Sequence, residues 1–541
     1  MDEDRDQNTQ FETARDPLTA HIVKPIIGNI LLGYENLQED ATRIINNNLN
    51  FLINVVPKIS ETYVKNYANA NGFASFPIGK SRFPISKIAN IIDKMKGKWI
   101  VAIDESMLDE EMFTGNVSYR HSSAFGMRID ETGGEPKEKT LAVSSVVKIQ
   151  EEEHFADKMK FVSYLMNLYI AYYTAQFLIS IGEKVHSIII HGPLIRQLGP
   201  FMELYFKYDL LKQVFSLGRN VEFGKDISDE IKSLGRGQLL QKLLDSNEYK
   251  ECLEQIKGYT RRKPSKDEHP GICLYLCLMK ELYDYSKTHN FYVIGCVETV
   301  RSSEYTDVYF RYQVESYYQA NPDEKTAFNK ILEDFKVKSS DDIKNDFLLL
   351  REKAGWDDEK LIFFGMKYDT TQQYIHYTNP VPIRRYFSSQ ANEEVFDLKE
   401  SFAKRISSTS DNAQNGALNN MLKHTLKFPD YKVLMSYVRT SELKAPIRVE
   451  FFDTESGEKQ QNIMPFVYAV SQPYSSFGLP IFLYFADKIA RVPKSIISTV
   501  TAELLMKKAV EYVTKSPNGE MNFVHIVNAL LNKFRRDFTE R

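Results

Sequence analysis

The chain has 541 residues, of which 43% are hydrophobic and 26% charged, and its 69 Lys and Arg nearly balance its 72 Asp and Glu to give a formal net charge of −3. The hydrophobic fraction is typical of packed globular proteins and excludes a wholly disordered chain. The near-zero net charge excludes a global basic field, so any contact with nucleic acid must come from local patches. Four cysteines and an acidic N-terminus, MDEDRDQNTQ, argue against a disulfide scaffold and a signal peptide and predict a cytoplasmic protein.

The sequence pattern of the first part of the chain predicts helices followed by a ladder of strands. Apolar residues recur at helical spacing over residues 17–70, and Ile85–Met95 is a short amphipathic stretch. Three strands are then expected, the first ending at Asp104 and the last two joined by a turn at Gly133–Pro136: Trp99–Ile103, Val117–Ile129 and Thr140–Ile149.

After this ladder the pattern predicts a long helix, His154–Ile181, and a buried strand, Val185–Ile190, that leads into His191. Phe161–Gly182 has no charged side chain and is long enough to span a bilayer, but its polar residues would be costly in lipid, so we expect a helix buried within the protein. Residues 200–286 are expected to be mostly helical. The remaining predictions are four strands, a polar loop and two helices: Phe291–Val297, Leu361–Phe364, Tyr431–Val438, Ile447–Phe452, Ser407–Asn420, and about 495–515 and 522–535.

Three strands in a ladder, then a helix and a parallel strand, is the order of an RNase H-like fold. In that fold the first and fourth strands are neighbours, so Asp104 and His191 should face each other at one edge of the sheet. The predicted architecture is an α/β, RNase H-like mixed sheet. Its expected parts are a helical N-terminal region (1–95), a core (96–200 and 287–500), a helical insertion (201–286) and C-terminal helices (501–541).

Three motifs have a structural and a functional interpretation. Residues 74–81, ASFPIGKS, match a loose phosphate-binding loop but do not follow a strand, and Pro84 opposes the helix that such a loop must open. Cys273 and Cys277 lie four residues apart near His269, without a second pair of zinc ligands, which favours buried structural cysteines. A basic run is either a solvated loop or a phosphate contact and contains Arg261, Arg262, Lys263 and Lys266.

Three carboxylates in separate elements are candidate metal ligands. Asp104 ends a buried strand, Glu450 lies in a late strand, and Asp487 follows a Gly-Leu-Pro turn. Two-metal nucleases need acids from separate strands, because Mg²⁺ and Mn²⁺ prefer oxygen ligands. Taken singly, each acid is better explained by a salt bridge or a surface position, and spacing alone does not favour a metal site.

In order, these segments resemble the NurA nucleases, a family of RNase H-like, manganese-dependent proteins that process DNA ends with the hexameric translocase HerA. The resemblance covers about residues 97–500 and rests on five pieces: Ile103-Asp104-Glu105-Ser106, His191-Gly192-Pro193-Leu194, Ile294 to Glu298, Pro446-Ile447-Arg448-Val449-Glu450, and Leu479-Pro480 followed by Ala486-Asp487.

Departures from the family pattern leave two interpretations. The family's second aspartate corresponds to His191, its late histidine to Asp487, and its helix glutamate is missing, with Asn167 and Gln176 as polar side chains nearby. In one interpretation Asp and His have exchanged places, and Asp104, His191 and Asp487 hold one metal ion. Because imidazole binds Mn²⁺ better than Mg²⁺, that ion would be Mn²⁺. In the other, the site has lost activity and the domain is a scaffold.

The resemblance implies a DNA end-processing nuclease that works as a homodimer with a HerA-like hexameric ATPase in DNA repair or anti-phage defence, without membrane attachment. Its expected catalytic residues are Asp104, His191, Glu450 and Asp487, with His191 as a metal ligand or a proton donor. The alternative is a catalytically degenerate adaptor that caps the translocase ring and binds DNA.

Overall fold

A computed structural model describes residues 80–112, 115–131, 136–150, 155–194, 201, 204–217, 228–257, 265, 267–298, 373–378, 380–382, 433–441, 444–452, 457–475 and 477–491, with isolated positions 42, 503, 507, 508, 511 and 515. The chain divides into two compact units, Met1–Pro77 with Ser316–Gly355 and Ile78–Glu315 with Trp356–Arg541. Every described residue except Thr42 belongs to the second unit. Several predicted elements lie wholly or almost wholly outside the described residues: the helices of 17–70, the strand Leu361–Phe364, the loop Ser407–Asn420 and the helices near 495–515 and 522–535. Of these elements only positions 42, 503, 507, 508, 511 and 515 are described, and all six are helical.

Ten of the described strands form one mixed sheet. In chain order the strands are β1 (Lys80–Pro84), β2 (Lys98–Met112), β3 (Gly115–Arg128), β4 (Lys137–Gln150), β5 (Lys184–His191), β6 (Tyr205–Lys207), β7 (Glu268–Pro270), β8 (Tyr292–Val297), β9 (Tyr374–Thr378), β10 (Val381–Pro382), β11 (Val433–Val438) and β12 (Ile447–Phe452). The order across the sheet is β1-β9-β11-β12-β8-β5-β2-β3-β4, with β10 paired to β11, while β6 and β7 pair separately.

Nine α-helices accompany these strands in the described part of the chain. They are α1 (Ile88–Met95), α2 (Phe155–Ser180), α3 (Tyr208–Val214), α4 (Asp229–Leu234), α5 (Gln238–Asp245), α6 (Asn247–Lys257), α7 (Gly271–His289), α8 (Gly457–Ser471) and α9 (Ile481–Ala490). The described residues between 200 and 286 therefore contain mostly helix, as the sequence predicted, with the small β6–β7 pair as an addition.

The centre of the sheet has the predicted RNase H-like order. Strands β2, β3 and β4 form an antiparallel ladder, β5 pairs with β2 in parallel, and β8 pairs with β5 in parallel. The first and fourth strands of the core are therefore neighbours, and the α/β fold predicted from the sequence is confirmed.

Two helices cover opposite faces of this ladder. The Ser123 hydroxyl donates to the backbone oxygen of Ala486 in α9 at 3.1 Å, whereas the hydroxyl of neighbouring Ser122 donates to Oδ1 of Asn167 in α2 at 2.6 Å. Because successive side chains of a strand point to opposite faces, α9 and α2 pack on opposite sides of β3. Helix α2 is buried along almost its whole length, and it contacts α7 as well as the sheet.

The structure also bears on two sequence motifs. Across the described segments, none of the helices has the length and apolar character needed to cross a membrane, including α2 with its uncharged stretch. Lys80 begins strand β1, so the loose phosphate-loop motif leads into a strand rather than a helix. The backbone N–H groups at a helix start that would hold a phosphate are therefore missing at this point.

One predicted boundary is wrong. Strand β2 does not end at Asp104 but continues to Met112, paired throughout with β3. Only its parallel pairing with β5 stops there, at Ile103 and Ile190. The apolar run ends at Asp104 because the strand loses one neighbour, not because the strand itself ends.

Candidate active site

Asp104 and His191 meet where β5 ends beside β2. Ile103 pairs with Ile190, so the two following residues are adjacent and point to the same face. The Nδ1 atom of His191 lies 2.9 Å from Oδ1 of Asp104. The Asp104 side chain is 4% exposed and that of His191 34%, so the carboxylate is buried and the imidazole reaches the surface.

The hydrogen bonds of this pair define the roles of its atoms. Oδ1 of Asp104 also accepts a hydrogen bond from the backbone N–H of Glu105 at 2.7 Å. An ionised carboxylate can only accept, so Nδ1 of His191 is the donor toward Asp104. The other ring nitrogen, Nε2, is then the atom of His191 that can exchange a proton with a bound ligand.

The charges around His191 favour its protonated form. Burial alone would lower the pKa of His191, but the hydrogen bond and charge of Asp104, with the charges of Glu298 and Asp487, raise it above its ordinary value of 6.5. Carboxylates near an imidazole stabilise the imidazolium. The site therefore contains a partly exposed histidine suited to giving up a proton near neutral pH.

Asp487 belongs to the same electrostatic neighbourhood but has its own cation. It lies in α9, and its Oδ1 accepts a hydrogen bond from Nε of Arg491 at 2.9 Å. The hydrogen bond and charge of Asp487 are the main reasons that the pKa of Arg491 is raised, with a smaller contribution from Asp104. Asp487 thus acts on His191 through its charge and is itself neutralised by a guanidinium at the surface.

The donors present do not fit the predicted shared manganese ion. In the portion of the chain that the structure describes, no three His, Cys, Asp or Glu side chains come together as a group that could hold a metal ion. One oxygen of Asp104 accepts two N–H groups, and one oxygen of Asp487 is engaged by Arg491. Asp104, His191 and Asp487 are therefore not gathered here as the ligands of one cation.

Glu450 lies on the other face of the sheet. Across four neighbouring strands, Glu450 is paired with Gly295, Gly295 with Ile190, and Ile190 with Ile103. Residues paired in this way point to the same face of the sheet. Asp104 follows Ile103 and so points to the opposite side. Glu450 is fully buried and forms an ion pair with Arg448 in the same strand. The structure therefore does not bring Glu450 to the Asp104–His191 pair.

Three polar residues lie near the backbone of Asp104, on the face of β2 opposite its carboxylate. Of these the sequence singled out only Asn167, as a polar side chain in the helix where the family has a glutamate. Oε2 of Glu105 accepts a hydrogen bond from Nδ2 of Asn167 at 2.8 Å, and Oδ1 of Asn167 accepts one from Ser122 at 2.6 Å. The Ser122 hydroxyl also lies 3.4 Å from the backbone oxygen of Asp104. The signal in the sequence was Asn167 itself, an amide in the uncharged part of helix α2.

The other candidate residues that the structure describes form no second site. Arg261, Arg262, Lys263 and Lys266 lie outside the described residues. Cys273 is buried, and burial raises the pKa of its thiol, which disfavours the thiolate that binds metals. His269 shares a hydrogen bond of 2.9 Å with the Tyr249 hydroxyl. This agrees with the expectation of structural cysteines.

Among known proteins, no family model matches the chain. No curated protein matches it significantly. Solved structures of NurA are similar to it at low sequence identity. The crystal structure of the NurA nuclease from Sulfolobus solfataricus aligns with a TM-score of 0.40 and 13% identity over 87% of this chain and 99% of that one.

Two further structures give similar values. NurA bound to dAMP and manganese aligns with a TM-score of 0.30 and 14% identity over 75% of this chain and 89% of its own. NurA with manganese aligns with a TM-score of 0.31 and 11% identity over 78% of this chain and 93% of its own. The RNase H-like arrangement is seen independently in the order and direction of this chain's own strands.

Proposed function

We propose that this chain is a NurA-type phosphodiester hydrolase that processes DNA ends, acting as a homodimer with a HerA-like hexameric ATPase in DNA repair or anti-phage defence. The observation that carries the proposal is the hydrogen bond between Asp104 and His191 at the edge where the first and fourth core strands meet. The imidazole of this pair is partly exposed and biased toward its protonated form.

In the proposed reaction, His191 donates the proton that the leaving oxygen needs when the phosphorus–oxygen bond breaks. Asp104 holds the ring by Nδ1 and stabilises the imidazolium, which leaves Nε2–H to face the phosphodiester. Water supplies the new oxygen on phosphorus, and the proton that this water loses passes to bulk solvent. Positioned proton transfer of this kind contributes about 10²- to 10⁴-fold to a rate.

A second candidate function is favoured by a different observation. Asp104 and Asp487 each have a protein cation beside them, and within the described segments no three-ligand metal group is present. A domain with such a site would suit an adaptor that caps the translocase ring and binds DNA without cleaving it. The two functions differ in whether DNA is cut.

The test is a cleavage assay of the purified chain on linear DNA, with Mn²⁺, with Mg²⁺ or with EDTA, and with and without the ring ATPase. His191→Ala is the decisive variant, and His289→Ala, at the exposed end of α7, is the matched histidine control. We expect cleavage that falls at least 100-fold in His191→Ala and is unchanged in His289→Ala. Cleavage that persists in EDTA would support a proton-donor role of His191 without a metal ion.

Other outcomes separate the alternatives. Cleavage that requires Mn²⁺ and is abolished by EDTA would favour the metal-ligand role that the sequence suggested for His191 over the role of proton donor without a metal ion. DNA binding without cleavage under every condition would favour the adaptor. Light scattering tests the homodimer, and co-purification with a hexameric ATPase tests the partner.

A further inference from the structure

Strand β2 loses one of its two neighbouring strands at Asp104, the residue that contacts His191. Up to Ile103 it is paired with β5 on one side and β3 on the other. At Asp104 the pairing with β5 has ended, and the described pairing continues only with β3, through Ser123. A strand paired on one side twists more easily than a central one. The direction of the Asp104 carboxylate therefore needs another restraint.

Side chains on the opposite face of β2 supply such a restraint. Asn167 of α2 donates from Nδ2 to the carboxylate of Glu105 at 2.8 Å and accepts from Ser122 at 2.6 Å. Asn167 is 3% exposed and Ser122 is fully buried. Because an amide is costly to bury unless it is hydrogen-bonded, these two bonds explain how a polar side chain is tolerated in the interior of α2.

We infer that Asn167 is a positioning residue that holds β2 at Glu105 and thereby keeps the Asp104 carboxylate directed at His191. Glu105 and Asp104 are neighbours on opposite faces, so a bond to helix α2 at Glu105 and a bond to β5 at Asp104 fix the strand from both sides. The effect of this positioning on catalysis rests on the proposed hydrolase function. Small displacements of a reacting group can lower a rate by about 100-fold.

Four substitutions separate positioning from packing. Asn167→Ala removes both hydrogen bonds, and Asn167→Asp keeps the acceptor for Ser122 but sets a second carboxylate against Glu105. Glu105→Ala acts at a half-buried position, where folding should survive, and Glu105→Gln keeps an oxygen that can accept from Asn167. Gln176→Ala, on the same helix, is the matched control.

Two readouts follow the variants. One is the hydrogen-bonded Nδ1–H resonance of His191 in the ¹H–¹⁵N NMR spectrum of the histidine-labelled full chain. The other is the separation of kcat from KM in DNA cleavage. For Asn167→Ala, Asn167→Asp and Glu105→Ala we expect the resonance to shift upfield or disappear and kcat to fall by about 10- to 100-fold at unchanged KM. Glu105→Gln and Gln176→Ala should resemble the parent in both.

If the three disruptive variants lower the melting temperature but leave the His191 resonance and kcat as in the parent, Asn167 is only a packing residue and the inference is wrong. If the parent itself does not cleave DNA, the proposed function fails. The resonance then still decides whether Asn167 positions Asp104, because it reports the Asp104–His191 bond without any reaction.

Discussion

Gly295 provides a direct test of how the segment after His191 is held. This glycine lies in β8, and a Cβ placed on it would be 2.6 Å from the backbone nitrogen of Leu194 and 2.9 Å from the backbone oxygen of Gly192. Ordinary contact begins at 3.4 Å, so the closer approach is 0.8 Å too short. Both opposing atoms belong to the backbone, so no change of rotamer can relieve the clash, and the segment after β5 must move.

Gly295→Ala should therefore be destabilising although alanine is normally better than glycine in a strand. Overpacking costs about 1–3 kcal/mol, and the gain from alanine offsets about 0.5–1 kcal/mol, so we expect a net loss of about 0.5–2 kcal/mol. A movement of 0.8 Å passed fully to His191 would lengthen its 2.9 Å contact with Asp104 beyond hydrogen-bonding distance.

Urea unfolding would measure the loss of stability, and the Nδ1–H resonance of His191 would report the movement. Ile294→Val is the control, because it removes one methyl group from the neighbouring buried position, costs about 0.5–1.5 kcal/mol and should leave that resonance unchanged. An alanine variant with the parent's unfolding midpoint and His191 resonance would refute the close packing of this segment on β8.

Three further outcomes are expected. Because the pKa of His191 is raised in the folded protein, the stability from its pair with Asp104 is complete below pH 6.5 and is lost as the pH rises through the folded-state pKa. Urea unfolding at stepped pH should show this fall in the free energy of unfolding with rising pH, and Asp104→Asn should make the dependence on pH weaker. Arg448→Met should lower the free energy of unfolding by about 3–5 kcal/mol, because it removes a cation from the fully buried Glu450, and adding Glu450→Met should recover most of the loss. Arg491→Ala should leave urea stability within error of the parent, because its pair with Asp487 is at the surface.

The pairing of Asp104 with His191 could be predicted because it depends only on the order of the elements. A ladder of three strands followed by a helix and a parallel strand leaves one arrangement, and in it these two residues meet. The position of Glu450 depends on register across four strands, and a shift of one residue in any of them reverses its face. Periodicity in the sequence carries no information about that register.

The contacts of Asn167 were also beyond prediction, for a related reason. A buried amide in a helix indicates that hydrogen-bond partners exist, but the partners of Asn167 lie 45 and 62 residues away in sequence, on two different strands. Similarly, the end of the apolar run at Asp104 marks the loss of one neighbouring strand, which sequence alone does not distinguish from the end of β2 itself.

The covering of β3 by helix α9 has a consequence for the order in which the protein is made. Ser123 and its partner Ala486 are 363 residues apart, so at about 5–20 residues per second a ribosome needs about 20–70 s to synthesise the chain between them. During that interval the ladder and β5 can form, whereas the face that carries Asp104 waits for α9. An apolar surface exposed for so long invites association with other nascent chains, and chaperones act on surfaces of this kind. Completion of the site is thus coupled to synthesis through at least Ala490, and a chain released before that point would present this face to the cell uncovered.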